Sequence, residues 1–191
     1  MALILRNDDV CFNTNKKKLS EIYGAIHSVY PSAEIWSCIT VFSGQNTQGS
    51  VYPNPPFKAN PINWFYKNAD SVMYDYRHPL YRVASHGLYH IDHSKVSRET
   101  QEMSILGSCA FLKTKLFVPP FNKYNQDTLD ICFDNDIKID TENWLSLEHN
   151  GFNPYHNKWY FHSWQFTPES LRAKILNENI LPSVCFSNSD C

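Results

Sequence analysis

The sequence lacks the cysteine spacing of a disulfide framework or of a thiolate metal site. Its 6 cysteines are scattered along the chain, and no two of them form a C-x-x-C pair. We therefore expect free, reduced thiols and a cytoplasmic protein. The apolar start of the chain runs directly into the polar residues 6–9, so we expect neither a secretory leader nor a membrane-spanning segment.

An excess of charge of one sign is also missing. The 17 basic and 19 acidic residues give a net charge of -2, which predicts no binding to nucleic acid or to an anionic membrane. No internal repeat, low-complexity tract or charge block marks a linker. What is present is enough apolar material for a core, because 42% of the residues are hydrophobic and 15% are aromatic. A chain of 191 residues with this composition predicts one domain, residues 1–191.

Short apolar runs alternate with amphipathic segments along the chain. The runs with strand-like composition are residues 3–6, 34–41, 71–73, 82–85, 115–118, 137–139, 159–161 and 184–186. Helical spacing of apolar residues predicts helices at 16–30, 97–112, 125–133 and 167–177, the last with Thr167 as N-cap and Pro168 in its first turn. Strands separated by helices favour an α/β barrel or a doubly wound sheet. Residues 43–61 fit neither pattern, which is typical of a lid, a binding loop or a surface excursion.

Two separated segments carry side chains that suit one metal ion. Asp8 and Asp9 follow the first apolar run, and His86 and His90 follow the run 82–85. Histidines at i and i+4 project from the same side of a helical turn, so both imidazoles can reach one ion. A carboxylate from Asp9 would complete a site with two histidines and one carboxylate, which leaves positions open for water and substrate.

His93 offers an alternative third ligand. His86, His90 and His93 fall at i, i+4 and i+7, and in a continuous helix they would share one face. We favour Asp9, because the turn after the strand is not expected to stay helical as far as His93.

Two more polar segments follow strand-like runs. The first is residues 117–122, and the second is residues 159–162, which end in His162. In parallel α/β folds the carboxyl ends of the strands gather functional groups. The four segments are therefore expected to line one pocket.

In the order and rough spacing of five short motifs, the chain resembles the polysaccharide deacetylases with the NodB homology fold. The family motifs are an Asp-Asp pair, H-S/T-x-x-H, R-x-P-F/Y, D-x-x-D-W and L-x-H. The similar segments here are N-D-D at residues 7–9, H-G-L-Y-H at 86–90, V-P-P-F at 118–121, D-T-E-N-W at 140–144 and Y-F-H at 160–162. The resemblance covers essentially the whole chain.

The resemblance implies a distorted (β/α) barrel of the polysaccharide deacetylase type and the removal of an N-acyl group from a sugar. It places one divalent metal ion, which we expect to be zinc, on Asp9, His86 and His90. Asp8 is then the general base that activates water, and His162 is the general acid that protonates the leaving amine.

The resemblance also assigns residues to the substrate. A backbone N–H near Phe121 would stabilise the oxyanion, and Asn122 and Trp144 would lie at the substrate. The expected partner is an N-acylated sugar or saccharide precursor. The expected setting is bacterial surface polysaccharide biosynthesis.

Two departures from the family motifs affect the catalytic prediction. Val118 stands where the family has an Arg that orients the base, and Asn143 stands where it has an Asp that tunes the catalytic histidine. Asp8 is therefore expected to lack its cation partner, and His162 to lie beside an amide.

Two other functions fit the same residues. The first alternative is a metal-retaining, catalytically impaired protein that binds a carbohydrate without cleaving it. The second is a hydrolase of a different bond, such as a phosphoester, for which a second metal ion is normally needed. The further carboxylates available for such an ion are Asp140, Glu142 and Glu148.

Overall fold

The computed structural model describes residues 3–11, 14–41, 79–148 and 157–177. Seven strands in this part of the chain form one sheet, accompanied by four helices. The strands are β1 (Ile4–Cys11), β2 (Glu34–Thr40), β3 (Tyr81–Ser85), β4 (Leu116–Phe117), β5 (Lys138–Ile139), β6 (Leu145–Ser146) and β7 (Lys158–Phe161). The helices are α1 (Lys16–Val29), α2 (Arg98–Leu112), α3 (Gln126–Asp134) and α4 (Pro168–Asn177). Short 3-10 helices cover His93–Lys95, Pro120–Asn122 and Ser163–Gln165.

The sheet is parallel throughout, with the strand order β5-β4-β3-β2-β1-β7-β6. It curls into a half-barrel with the helices, which confirms the predicted distorted (β/α) barrel. Because all strands run in the same direction, their carboxyl ends meet at one edge of the sheet. The segments that follow β3, β4 and β7 therefore converge near the end of β1, which lies between β2 and β7.

The helices begin at residues whose side chains satisfy their first free N–H groups. Asn15 accepts a hydrogen bond from the third residue of α1 at 3.0 Å, and Asn125 forms a capping box with Thr128 at the start of α3. Thr167 Oγ1 accepts from the Ser170 N–H at 3.1 Å, which confirms the predicted cap of α4. Each such cap stabilises a helix by about 1 kcal/mol.

The main core lies between the sheet and the helices α1 and α4. The buried face of α1 has the predicted helical spacing, and it packs with the central strands and α4 into one cluster. Its members include Leu5, Leu19, Ile22, Tyr23, Ile26, Ile35, Ile39, Trp159, Phe161, Leu171 and Ile175. Complete burial of an aliphatic side chain contributes about 1.5–3 kcal/mol. This packing holds β1, which carries both aspartates, in the middle of the domain.

The predicted helices and most predicted strands match the structure to within one residue at each end. The main difference is β1, which continues to Cys11 instead of ending at residue 6. The apolar pattern breaks there because Asn7 and Asp8 are buried polar residues. The strand β6 is absent from the prediction, since two residues carry no measurable period. The predicted strands at 71–73 and 184–186 and the loop 43–61 lie outside the described residues.

Across the described ranges, no helix combines the length and the apolar composition that crossing a bilayer requires.

Candidate metal centre and catalytic site

Asp8 and Asp9 lie inside β1, at an irregularity in its pairing with β2. The register between these strands shifts between Asn7 and Val10, and Asp9 has a φ of 60°. In a regular strand two consecutive side chains point to opposite faces of the sheet. The bulge removes this alternation, so that neighbouring carboxylates reach the same site. A non-glycine residue in this conformation costs about 1–3 kcal/mol, which is typical of functional positions.

Asp9 lies against the two predicted histidine ligands. Its Oδ1 is 2.8 Å from His90 Nε2 and 3.6 Å from His86 Nε2. One ligand atom from each of the three residues lies within 4.8 Å of the others. Residues 86–90 form a bend and not a helical turn, so the helical spacing argument is wrong although the two side chains do converge. The bend depends on Gly87, whose φ is 87°.

The donor set fits a divalent ion. His86 Nδ1 donates to the Val118 carbonyl oxygen at 2.8 Å, which leaves the Nε2 lone pair directed toward Asp9. Asp9 Oδ1 is buried and faces the Nε2 atoms of both histidines. Burial alone raises the pKa of Asp9, but the imidazoles of His86 and His90 outweigh it and hold this pKa well below its usual range. An ionised carboxylate with two imidazole nitrogens is a common zinc-binding set with open positions.

His93 does not join this group. It is fully buried, its Nε2 lies 3.2 Å from Ser104 Oγ, and its ring packs edge-on against Phe117. Burial and the nearby His86 lower the pKa of His93 to about 4, so the ring is neutral at pH 7. The all-histidine alternative is therefore not supported, and His93 is a core residue behind the site.

The expectation that Asp8 lacks a cation partner is wrong. Arg6 Nη2 donates to Asp8 Oδ2 at 2.9 Å, and Arg6 Nε lies 2.9 Å from Asp8 Oδ1. The two residues are at i and i+2 of β1, so their side chains share one face of the strand. Burial lowers the pKa of Arg6, but the charge of Asp8 raises it further, so the guanidinium stays protonated.

The other side of the Arg6 guanidinium contacts residues from two later motifs. Nη1 donates to Asp140 Oδ2 at 3.2 Å, and Nη2 donates to Asn122 Oδ1 at 3.1 Å. Trp144 packs against the guanidinium, with its ring centroid 4.8 Å from Cζ. Asn122 and Trp144, which the resemblance assigns to the substrate, are thus in contact with the cation beside Asp8.

The expectation that His162 lies beside an amide is also wrong. Glu148 Oε1 accepts from His162 Nδ1 at 2.8 Å and from the His162 backbone N–H at 2.9 Å. Asn143 is exposed. Gln165, with its amide nitrogen turned toward Glu148, donates to both carboxylate oxygens, at 2.9 Å and 3.0 Å.

These contacts direct the other nitrogen of His162 into the site. Its Nε2 lies 3.5 Å from Asp9 Oδ2. Burial alone lowers the pKa of His162, but the hydrogen bond to Glu148 and the charges of Asp9 and Asp8 raise it above its ordinary value. The side chain can therefore carry a proton beside the candidate metal ligands.

Phe121 packs against the site on the side of His90. The two rings meet edge-on with centroids 4.4 Å apart, and Phe121 is 42% exposed. Phe121 and Asn122 both have positive φ, at 57° and 53°, and such strain is concentrated at functional sites. A substrate role for Phe121 stays a prediction.

The three carboxylates considered for a second metal ion have other partners. Asp140 pairs with Arg6, Glu142 forms an ion pair with Lys158, and Glu148 binds His162. Within the described ranges, only Asp9 forms a metal-type cluster with the histidines. The arrangement gives no support to a phosphoester hydrolase with two metal ions.

Sequence reasoning missed Arg6 altogether and assigned Glu148 only as a weak metal ligand. The available signal for Arg6 was its position two residues before Asp8 in a strand, where both side chains face the same way. No signal of this kind exists for Glu148, because 14 residues separate it from His162.

Neither family models nor curated proteins match the sequence, but several solved structures match the fold. A CE4 family pseudoenzyme from Bacillus anthracis gives a TM-score of 0.61 at 11% identity, over 93% of this chain and 60% of its own. The family 4 carbohydrate esterase from Streptomyces lividans gives 0.60 at 10% identity, over 94% and 88%. Peptidoglycan deacetylase PdaC from Bacillus subtilis gives 0.60 at 10% identity, over 95% and 83%.

This chain thus spans about 60% of the length of the pseudoenzyme. At such low identity the shared property is the fold, and the resemblance of the five motifs agrees with it. The chain is a divergent protein with the NodB-type fold of the CE4 polysaccharide deacetylases.

Proposed function

We propose that this protein is a metal-dependent deacetylase that removes an N-acyl group from a sugar. The observation that carries the proposal is the meeting of Asp9, His86 and His90 with a charge-paired Asp8 and a carboxylate-bound His162. Each side chain has the chemistry that amide hydrolysis requires at its position. The motif resemblance and the fold of the solved deacetylases support the same reaction.

Asp9, His86 and His90 would hold the divalent ion, and we propose zinc. When bound, such an ion supplies a Lewis acid for the acyl oxygen and lowers the pKa of water to about 7. The Val118 carbonyl fixes the His86 ring through Nδ1, which is the support that metal-binding imidazoles usually have.

Asp8 would be the general base. Its carboxylate takes a proton from the attacking water while the new bond forms between the water oxygen and the acyl carbon. Arg6 keeps this carboxylate in one orientation through its contacts with both oxygens. The backbone near Phe121 is the proposed donor to the developing oxyanion.

His162 would be the general acid. Glu148 binds Nδ1, so Nε2 is the atom that delivers a proton to the leaving nitrogen as the C–N bond breaks. The products are an amino sugar and a small carboxylate. Protonation of the leaving amine is needed because an amide anion is a very poor leaving group near neutral pH.

The proposed substrate is an N-acylated sugar or saccharide precursor of bacterial surface polysaccharide biosynthesis. A reducing, cytoplasmic compartment is part of the proposal. It is supported by Cys38, Cys109 and Cys132, which are buried and form no disulfide within the described ranges.

The test is release of acetate or formate from a panel of N-acyl sugars by the metal-loaded protein. We expect Asp8→Asn to keep its metal and to lose at least about 10²-fold in kcat, the typical contribution of a general base. Asp127→Asn on the exposed side of α3 is the matched control and should keep full activity. If the loaded wild type releases no carboxylate from any member of the panel, deacylation is excluded and the carbohydrate-binding alternative stands.

A further inference from the structure

We propose that Arg6 is the positioning residue of the Asp8 base and performs the task that the resembled motif gives to position 118. This inference rests on the proposed function, because it concerns how the base is held. In this chain the cation that contacts the base is then at position 6, whereas the resembled motif has it at the position of Val118. The missing motif Arg is then no sign of a lost activity.

The contact between Arg6 and Asp8 fixes both oxygens of the carboxylate. Nη2 lies 2.9 Å from Oδ2, and Nε lies 2.9 Å from Oδ1. The first contact is a hydrogen bond, and the second is an ion-pair contact without hydrogen-bond geometry. Two contacts with one guanidinium restrict rotation about the last side-chain bond of Asp8, which a single point charge does not. The orientation of the base is thus set before substrate binds.

Arg6 is itself held by residues that belong to the motifs around the site. Asp140 accepts from Nη1 at 3.2 Å, and Asn122 accepts from Nη2 at 3.1 Å. The rings of Trp144 and Tyr160 lie with their centroids 4.8 Å and 5.5 Å from Cζ. Residues that follow β4 and β5, the residue before β6 and a residue of β7 therefore meet at one guanidinium.

A purely structural role explains this arrangement poorly. Arg6 is 1% exposed, and burying an ion pair costs several kcal/mol that apolar residues of similar size do not incur. The cost is justified where an ionised carboxylate must stay in a fixed place, and Asp8 is such a carboxylate in the proposed mechanism.

Val118 shares a buried cluster with Cys38, a residue that interacts with Asp8. Val118 is fully buried and packs in one cluster with Cys38 and Ala84. The charge of Asp8 reaches Cys38, where burial first and then Asp8 raise the pKa of the thiol. An Arg side chain at position 118 would therefore start in the cluster that contains Cys38, and the double variant described below tests whether it reaches Asp8.

The first measurement compares Arg6→Met with the wild type in kcat, KM, metal content and Tm. We expect kcat to fall about 10²-fold, the scale of a misplaced catalytic group, while KM and metal content stay unchanged. Arg6→Lys keeps the charge without the two-point contact and should lose about 10-fold. Arg82→Met, at an Arg that is 53% exposed in its side chain, is the control and should change none of these values. An unchanged kcat in Arg6→Met, or in Arg6→Lys if Arg6→Met does not fold, overturns the proposal.

The second measurement moves the cation. In the double variant Arg6→Met/Val118→Arg, we expect at least about 10-fold of the lost kcat to return. If the ion pair were only structural, its removal would not lower kcat at constant metal content. An Arg on another strand would then have no kcat to restore. Failure of a folded, metal-loaded double variant to recover any activity overturns the exchange of roles.

A double-mutant cycle separates this inference from the proposed function. The Tm shifts of Arg6→Met and Asp8→Asn should be strongly non-additive, because each removes the same ion pair. Additive shifts overturn the inference whatever the activity is. Non-additive shifts in a protein that releases no carboxylate support the pairing and overturn the deacetylase function.

Discussion

Glu148 and His162 are joined by two hydrogen bonds to a single carboxylate oxygen. Glu148 Oε1 accepts from the imidazole Nδ1 at 2.8 Å and from the backbone N–H at 2.9 Å. The first bond fixes the ring, and the second fixes the chain that carries it. Glu148 thus places a carboxylate beside His162, although the segment 140–144 has Asn143 where the resembled motif has an Asp. Glu148 lies four residues after Trp144.

We predict that Glu148→Gln impairs turnover without removing metal. Gln has no negative charge with which to bind both donors. The His162 ring is then held less firmly, and its protonated form is less stabilised. We expect kcat to fall at least about 10-fold, within the range that a general acid contributes. Steady-state kinetics with elemental analysis checks this. The exposed Glu102→Gln on α2 is the control, and equal activity of the two variants would exclude a role for the pair in catalysis.

We predict one divalent ion for each chain in protein purified without added metal, and its loss in the double variant His86→Ala/His90→Ala. Chelator should lower the Tm of the wild type only, because a bound ion stabilises the folded state by about 4 kcal/mol at a thousandfold excess over its Kd. Elemental analysis and thermal melts measure both. His27→Gln, on α1, should behave as the wild type. A double variant that retains its metal would contradict the assigned ligands.

Gly87 and Gly24 form a matched pair for substitution by Ala. A Cβ at Gly87 would lie 2.9 Å from the Tyr89 carbonyl oxygen at a φ of +87°, so we expect a loss of about 1–3 kcal/mol and weaker metal binding. Gly24 lies exposed in α1 with nothing within 4 Å of the added atom. There we expect a gain of about 0.5–1 kcal/mol. Denaturant unfolding measures the free energy of unfolding of both variants. A Gly87→Ala protein as stable as the wild type would contradict the strain argument.

His93 predicts acid sensitivity of the fold. Burial first, and then His86, lower the pKa of His93 from 6.5 to about 4. A depressed histidine pKa contributes stability above the unfolded value, and this stability is lost as the pH falls from 6.5 toward 4. At pH 5 the loss amounts to about 2 kcal/mol.

The variant His93→Gln tests this effect, because it keeps a neutral polar group that cannot titrate. Its Tm should fall less than that of the wild type between pH 7.5 and pH 5. The candidate ligands His86 and His90 are present in both proteins, so the difference between the two reports on position 93. Equal pH dependence of the two proteins would show that His93 is not the source.

The sequence predicts the helices and most of the sheet well, because their signals are local. The apolar face of α1 and the caps Asn125 and Thr167 need only neighbouring residues to be recognised. The end of β1 is harder to predict from the sequence. A charged residue such as Asp8 is predicted to be exposed when the residue that pairs with it is unknown. The spacing of His86 and His90 was informative for a reason other than the predicted one, as a glycine bend replaces the helical turn.

The supports of the site could not be predicted, because they depend on which strands are neighbours. Glu148 reaches His162 because β6 pairs with β7, with Leu145 opposite Trp159. A two-residue strand carries too little pattern to predict that pairing. Motif comparison alone therefore reported two missing groups, although Arg6 supplies a cation beside Asp8 and Glu148 a carboxylate beside His162.

Three residues of the proposed site lie close together in the sequence of β1, around its bulge. Arg6, Asp8 and Asp9 lie within four consecutive residues, so the covalent chain limits how far apart the proposed base, its cation and one proposed metal ligand can lie. Consecutive Cα atoms stay about 3.8 Å apart whatever the rest of the sheet does. One short peptide therefore encodes the proposed base, its cation and one proposed ligand, whereas the segments after β3 and β7 have to bring the histidines to it.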